Sequence, residues 1–73
     1  MAVFNERLRI LRTNKKVMVK DMAAYLETVP RNYQRYENGT IEPNIRNLVA
    51  LADYFNVSLD YLTGRTDNPE VNR

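Results

Sequence analysis

Met22-Ala23-Ala24-Tyr25-Leu26-Glu27-Thr28-Val29-Pro30-Arg31-Asn32-Tyr33-Gln34-Arg35-Tyr36-Glu37-Asn38-Gly39 decides how this chain folds. Met22, Ala23 and Leu26 recur at helical spacing and mark a short helix over about 19–26. A break follows at Glu27-Thr28-Val29. Pro30 opens the next helix, because its missing N–H would be unpaired at the first helical position anyway. Proline also pushes Val29 into the extended backbone that a helix cap needs. Valine has no capping oxygen, so the geometry is right and the side-chain bond is absent. Tyr33 and Tyr36 form the inward-facing pair. Asn38-Gly39 ends this helix at about residue 38, with Gly39 free to take a positive φ.

Outward from this stretch the period stays helical. Phe4, Leu8 and Leu11 predict an amphipathic helix over about 3–13, and Asn14-Lys15-Lys16 is a polar connector. Thr40 to Pro43 is a loop. Asn44 is suited to cap a fourth helix, about 44–55, on which Ile45, Leu48, Val49, Ala52 and Phe55 are expected on one face. Asn56 suits a left-handed exit. Ser58 caps a fifth helix over about 58–63, with Leu59 and Leu62 apolar, Asp60 in its first turn and Gly64 as its stop. Arg65 to Arg73 is polar, contains Pro69 and has no period. The expectation is one all-α domain, residues 1–66, of five helices around a single core without strand pairing, and a flexible tail at 67–73. Two short helices across a three-residue break, in a five-helix chain of this size, suggest a helix-turn-helix.

Charge is distributed unevenly although the net is only +2. Residues 1–36 carry Arg7, Arg9, Arg12, Lys15, Lys16, Lys20, Arg31 and Arg35 against Glu6, Asp21 and Glu27, a net of +5. Residues 37–73 carry Arg46, Arg65 and Arg73 against Glu37, Glu42, Asp53, Asp60, Asp67 and Glu70, a net of −3. A basic half joined to an acidic half is what a chain needs if one side meets a polyanion. The chain has no cysteine and no histidine. Disulfides and thiolate-built zinc sites are therefore excluded, a transition-metal site would rest on carboxylates alone, and the commonest general base is missing. With no glycine-rich phosphate loop and no acid cluster, neither an enzyme nor a cofactor is expected. Met1-Ala2-Val3-Phe4 runs straight into charge, unlike a signal peptide, and no apolar run approaches a membrane span. A cytoplasmic, nucleoid-associated protein is the expectation.

The combination of residues is similar to the Cro and phage-repressor family of lambda-repressor-like, xenobiotic-response-element type domains. The resemblance rests on Phe4, Arg7, Leu8, Leu11, Arg12 and Val17; on Met22, Ala23, Leu26, Tyr33, Tyr36, Glu37, Asn38, Gly39, Glu42 and Pro43; and on the run from Leu48 to Arg65. It covers about residues 3–66 and implies a transcriptional regulator, a repressor or an antitoxin-like autoregulator, that binds double-stranded DNA at a pseudo-palindromic operator as a homodimer. Pairing is expected through the helix at 58–63, because a chain this small is not expected to cover Leu59, Tyr61 and Leu62 together. The resemblance places the helix at 30–38 in the major groove, with Pro30, Arg31, Asn32, Gln34 and Arg35 outward. Arg31 and Arg35 are the first choices for base contact, and Asn32 and Gln34 reach base or phosphate. Lys20, Asn38, Thr40, Asn44 and Arg46 are candidate phosphate anchors. Arg12 and Glu37 are implied as an ion pair between the first helix and the end of the third, although Arg12 left unpaired would suit a phosphate.

Several positions depart from the family pattern. Met18 and Val19 stand where a serine or threonine cap and a glutamine are usual, Glu27 where glycine is usual, and Val29 where a hydroxyl cap is usual. Each change removes a polar contact or adds strain of about 1 kcal/mol. Met18 and Val19 either shield the core or present an apolar contact to a protein partner. The alternative function is therefore a helical protein-interaction module that kept this fold and lost its DNA surface.

Overall fold

Phe4 and Leu8, one helical turn apart, anchor the first helix, α1 (Ala2–Asn14), which the computed structural model places at the start of five. The others are α2 (Val19–Tyr25), α3 (Pro30–Asn38), α4 (Ile45–Phe55) and α5 (Leu59–Thr63). The structure describes residues 2–71; Met1, Asn72 and Arg73, the extremities of the expected domain and tail, lie outside the described residues. No strand occurs among the described residues. Asn44 and Ser58 are, as expected, the N-caps of α4 and α5, each with extended backbone.

Each helix starts and stops for a local reason. The Asn44 side chain accepts from Asn47 N–H at 2.8 Å, and Ser58 Oγ from Tyr61 N–H at 2.9 Å. Met18 offers α2 no such oxygen, but the carboxylate of Asp21 accepts from the Met18 N–H at 3.2 Å. Gly39 leaves α3 at φ 76°, so that Thr40 N–H reaches the Arg35 carbonyl at 3.0 Å. A Cβ at Gly39 would also stand 3.3 Å from the Asn5 amide nitrogen. At Gly64, φ is 87° and a Cβ would meet Val3 Cγ1 at 2.8 Å. Both glycines therefore answer to backbone angle and to close approach.

The core consists of Phe4, Leu8, Met22, Ala23, Tyr33, Tyr36, Leu51, Ala52, Val57 and Leu62. α2 packs on α3, α1 on α3 and α5, and α4 on α5. Ala23 is fully buried, and its small side chain lets α2 approach α3 closely. The Cα radius of gyration is 11.2 Å, which matches a single folded body of this length.

One expectation, on α4, needs correction, and α5 shows how far its apolar face is covered. On α4, Ile45 is 77% exposed and Val49 42%, while Leu51 is fully buried. The inward face is Leu48, Leu51, Ala52 and Phe55. It is centred near Leu51, and Ile45 and Val49 lie on the flank of that stripe, which no other helix of the described residues covers. On α5, Leu62 is fully buried and Tyr61 is half-buried beneath the Arg7 guanidinium, 4.1 Å from its ring centre. Leu59, at 39%, stays exposed, so the three are not all covered. Arg7 also donates to the carbonyls of Tyr61 and Thr66 and meets Asp67 at 2.7 Å. The non-helical stretch after α5 folds back, with the Pro69 carbonyl accepting from Ser58 N–H at 2.9 Å.

Candidate nucleic-acid interface

The position of α3 is set from beneath. Tyr33 is fully buried, Tyr36 is 5% exposed, and their rings meet edge to face at 6.1 Å. Beside them the Glu37 carboxylate, 1% exposed, takes Arg12 Nε at 2.6 Å and Arg12 Nη2 at 3.1 Å. The third nitrogen of the fork, Nη1, donates to the Val17 carbonyl at 3.0 Å. One guanidinium thus ties α1, the connector before α2 and the end of α3 together. The hydrogen bond that Arg12 donates to Glu37 raises the pKa of Arg12, and burial opposes that rise. The Tyr33 hydroxyl is buried without a well-formed partner among the described residues, and its pKa is pushed well up, first by burial and then by the neighbouring Glu37 carboxylate.

With one side of α3 held this way, the other side faces solvent. Pro30, Arg31, Gln34 and Arg35 are exposed, and Asn32 is half-buried. Arg31, Asn32 and Arg35 line one open depression together with Thr28 and Val29. The Asn32 amide is not free within it, because Nδ2 donates to Thr28 Oγ1 at 3.0 Å. Asn44 and Arg46 line a second groove, against Tyr25, Leu26 and Glu27 at the end of α2. Lys20 stands apart from both, in a third depression with Arg12, Lys16, Val17, Met18 and Val19. Asn38 and Thr40 are exposed at the exit of α3. The structure therefore gathers Arg31, Asn32 and Arg35 around one depression, brings Asn44 and Arg46 to the turn preceding α3, and sets Lys20 in a depression that shares no residue with the other two.

The connection between α2 and α3 is a tight turn. Glu27 has φ 56°, a left-handed conformation that a side chain rarely adopts. Leu26 follows α2 as its cap, and Thr28 N–H closes back on the Ala23 carbonyl at 2.8 Å. Val29 then caps α3 with φ −98° and ψ 153°. Residues 8–62, which contain α2, this turn and α3, match the family described as Helix-turn-helix.

The chain belongs to the Cro/C1-type helix-turn-helix family. Similar proteins in Bacillus subtilis (strain 168) include the uncharacterized HTH-type transcriptional regulators YobD and YqaE. YobD is 34% identical over 93% of this chain and 61% of its own length; YqaE is 35% identical over 94% and 60%. The SPbeta prophage-derived uncharacterized HTH-type transcriptional regulator YonR is 37% identical over 82% of this chain and 56% of its own. The chain thus spans about three-fifths of the length of the curated relatives it matches. No solved structure matches it.

Residues that matter to this helix-turn-helix escaped the sequence reading. Asn5 donates to the Glu37 carbonyl at 3.2 Å and lies under Gly39, which ties α1 to the exit of α3. The apolar face of α1 gave no sign of that contact. Tyr25, exposed at the end of α2, donates to the Ala50 carbonyl at 3.1 Å and stacks on Tyr54. Val29 was read only as a cap without an oxygen. The available signal was a β-branched apolar side chain standing where a hydroxyl is usual.

Proposed function

We propose that this protein is a sequence-specific, DNA-binding transcriptional regulator acting as a repressor, and that it lays α3 in the major groove of its operator. One observation carries the reading. α3 buries Tyr33, Tyr36 and Glu37 and presents Arg31 and Arg35, spaced i, i+4, around one depression. Side chains at that spacing project from one face, and an arginine there has the geometry to pair with both acceptors of guanine. Arg31 and Arg35 read bases, while Pro30, Asn32 and Gln34 complete the contact. Lys20, Asn38, Thr40, Asn44 and Arg46 hold phosphates. The names of the relatives, all HTH-type transcriptional regulators, support the same reading.

The protein works by binding and needs no cofactor. Its partner is duplex DNA with a pseudo-palindromic site, met by two copies paired on the α5 side, where Leu59 is exposed and Val3 abuts Gly64. Pairing sets two recognition helices about 34 Å apart, one DNA turn. No helix among the described residues is long and apolar enough to cross a membrane, and the proposed location is the cytoplasm, at the nucleoid. The helical domain ends near residue 66, and the stretch after it is an extension folded back onto the domain through Asp67 and Pro69.

The test is selection of bound sequences from a random duplex pool, followed by affinity measurements at several salt concentrations. Enrichment of one palindrome, with log affinity falling linearly in log salt, supports the reading. Failure to enrich any duplex would favour the second reading, a protein-interaction module. Met18, 60% exposed beside the half-buried Val17 and Val19, is the observation that keeps that reading open.

A further inference from the structure

Val29 is 60% exposed, although it sits at the cap of α3, where a polar residue would serve the helix better. Its carbonyl is engaged, accepting from Asn32 N–H at 3.0 Å and from Tyr33 N–H at 3.2 Å. Its side chain makes no cap bond. A β-branched side chain has few rotamers, so this exposed apolar group is held rigidly. Pro30, equally rigid and also exposed, follows it. Together they put an apolar edge at the start of α3, next to two cationic forks.

The surroundings indicate what meets that edge. Val29 lines the same depression as Arg31 and Arg35, with Thr28 and Asn32 completing it. Asn32 and Thr28 are both half-buried, and one Asn32 N–H is held by Thr28 Oγ1 at 3.0 Å. The exposed groups that line this depression are therefore two guanidinium forks and one apolar side chain. A ligand that fits must be anionic, must offer paired acceptors, and must carry an apolar group beside them. The base edges of the major groove offer one apolar group, the methyl of thymine.

We infer that Val29, with Pro30 beside it, is a specificity-determining contact to a thymine methyl next to the base read by Arg31. This rests on the reading of α3 as the helix that enters the major groove. The missing cap then has a reason: a hydroxyl would serve the helix, whereas the valine methyls serve recognition.

The experiment takes the duplex enriched by the whole chain and replaces each thymine, one at a time, by deoxyuridine, which lacks only the methyl. At one thymine per half-site the affinity should fall about fourfold, the effect of exposing one methyl-sized apolar group. Val29→Ser supplies a capping hydroxyl, so its melting temperature should hold or rise. It should bind thymine and uracil equally at that position and keep its preference at the base contacted by Arg31. A site that the unmodified protein binds with indifference to uracil at every thymine overturns the inference and leaves the DNA reading intact. Thymine discrimination retained by Val29→Ser overturns it as well. A pool from which no duplex is enriched overturns the DNA reading, and this inference falls with it.

Discussion

Arg12 and Glu37, twenty-five positions apart in sequence, form a two-pronged ion pair at 2.6 and 3.1 Å that locks the end of α3 onto α1. Glu37 is 1% exposed while the Arg12 side chain is 16% exposed, so the carboxylate is the member that cannot be left alone. Arg12→Ala should therefore destabilise the fold by about 3–5 kcal/mol, through an uncompensated buried charge. The double variant Arg12→Met, Glu37→Leu should cost far less than Arg12→Ala, because a buried pair replaced by apolar groups of similar volume is often neutral. Urea unfolding of both variants measures this directly. Equal losses in the two would show that the pair contributes net stability of its own.

Tyr33 makes stability depend on alkaline pH. Its folded pKa is raised above the ordinary value of 10.0 by burial and by Glu37. The unfolded chain therefore releases this proton first as the pH rises. The contribution is fully present below pH 10 and is lost progressively above it. Melting temperature measured from pH 8 upward should start to fall near pH 10, and Tyr33→Phe should flatten that fall. A Tyr33→Phe profile parallel to that of the unmodified protein would remove Tyr33 as the cause.

Glu27 sits at φ 56° in the turn before α3 and is exposed. A side chain there costs about 1–2 kcal/mol, of which glycine's greater freedom in the unfolded chain returns part. Glu27→Gly should thus raise stability by roughly 0.5–1 kcal/mol. A thermal melt reads it, and a lowered midpoint would mean that the carboxylate makes a contact worth more than the strain.

Arg7 and Asp67 should behave unequally although they touch at 2.7 Å. The Asp67 side chain is wholly exposed, so Asp67→Ala should leave stability nearly unchanged. Arg7→Ala also removes bonds to the carbonyls of Tyr61 and Thr66 and the stacking on Tyr61. Its cost should be about 1.5–3 kcal/mol, and amides after α5 should lose hydrogen-exchange protection. Similar effects from the two variants would mean that the ion pair alone holds this segment.

Arg31 and Lys20 should separate base reading from phosphate holding. Arg31→Ala should cost about 1–3 kcal/mol of binding and relax preference at one base position. Lys20→Ala should weaken every sequence alike and make the salt slope shallower by about one. Tyr36→Ala, by contrast, should lower the melting temperature first, since loss of a buried aromatic costs about 3–5 kcal/mol. Binding to matched and singly mismatched duplexes, with melts alongside, tells the three apart. Unchanged affinity and base preference in a folded Arg31→Ala variant would end the case for base reading by that residue.

Local chemistry made much of this fold legible without coordinates. Pro30 and Gly39 bracket α3, and Ser58 and Gly64 bracket α5, because their effects act over a few bonds of backbone. Tyr33 and Tyr36 were readable as inward because a helix repeats on a known angle. The outward set on α3 followed from the same angle. Tertiary structure decided what depends on distant neighbours. It left Ile45 in solvent and buried Leu51, since which stripe of α4 turns inward is set by the helices it meets. It covered Tyr61 with Arg7, fifty-four positions away, and left Leu59 as the exposed one of the three apolar residues of α5. It also placed Val29 beside Arg31 and Arg35 in one depression. Periodicity reports the angle of each side chain about its own helix axis, whereas burial and grouping depend on what packs against that axis. In a chain of 73 residues one arginine crossing between helices is enough to change the result.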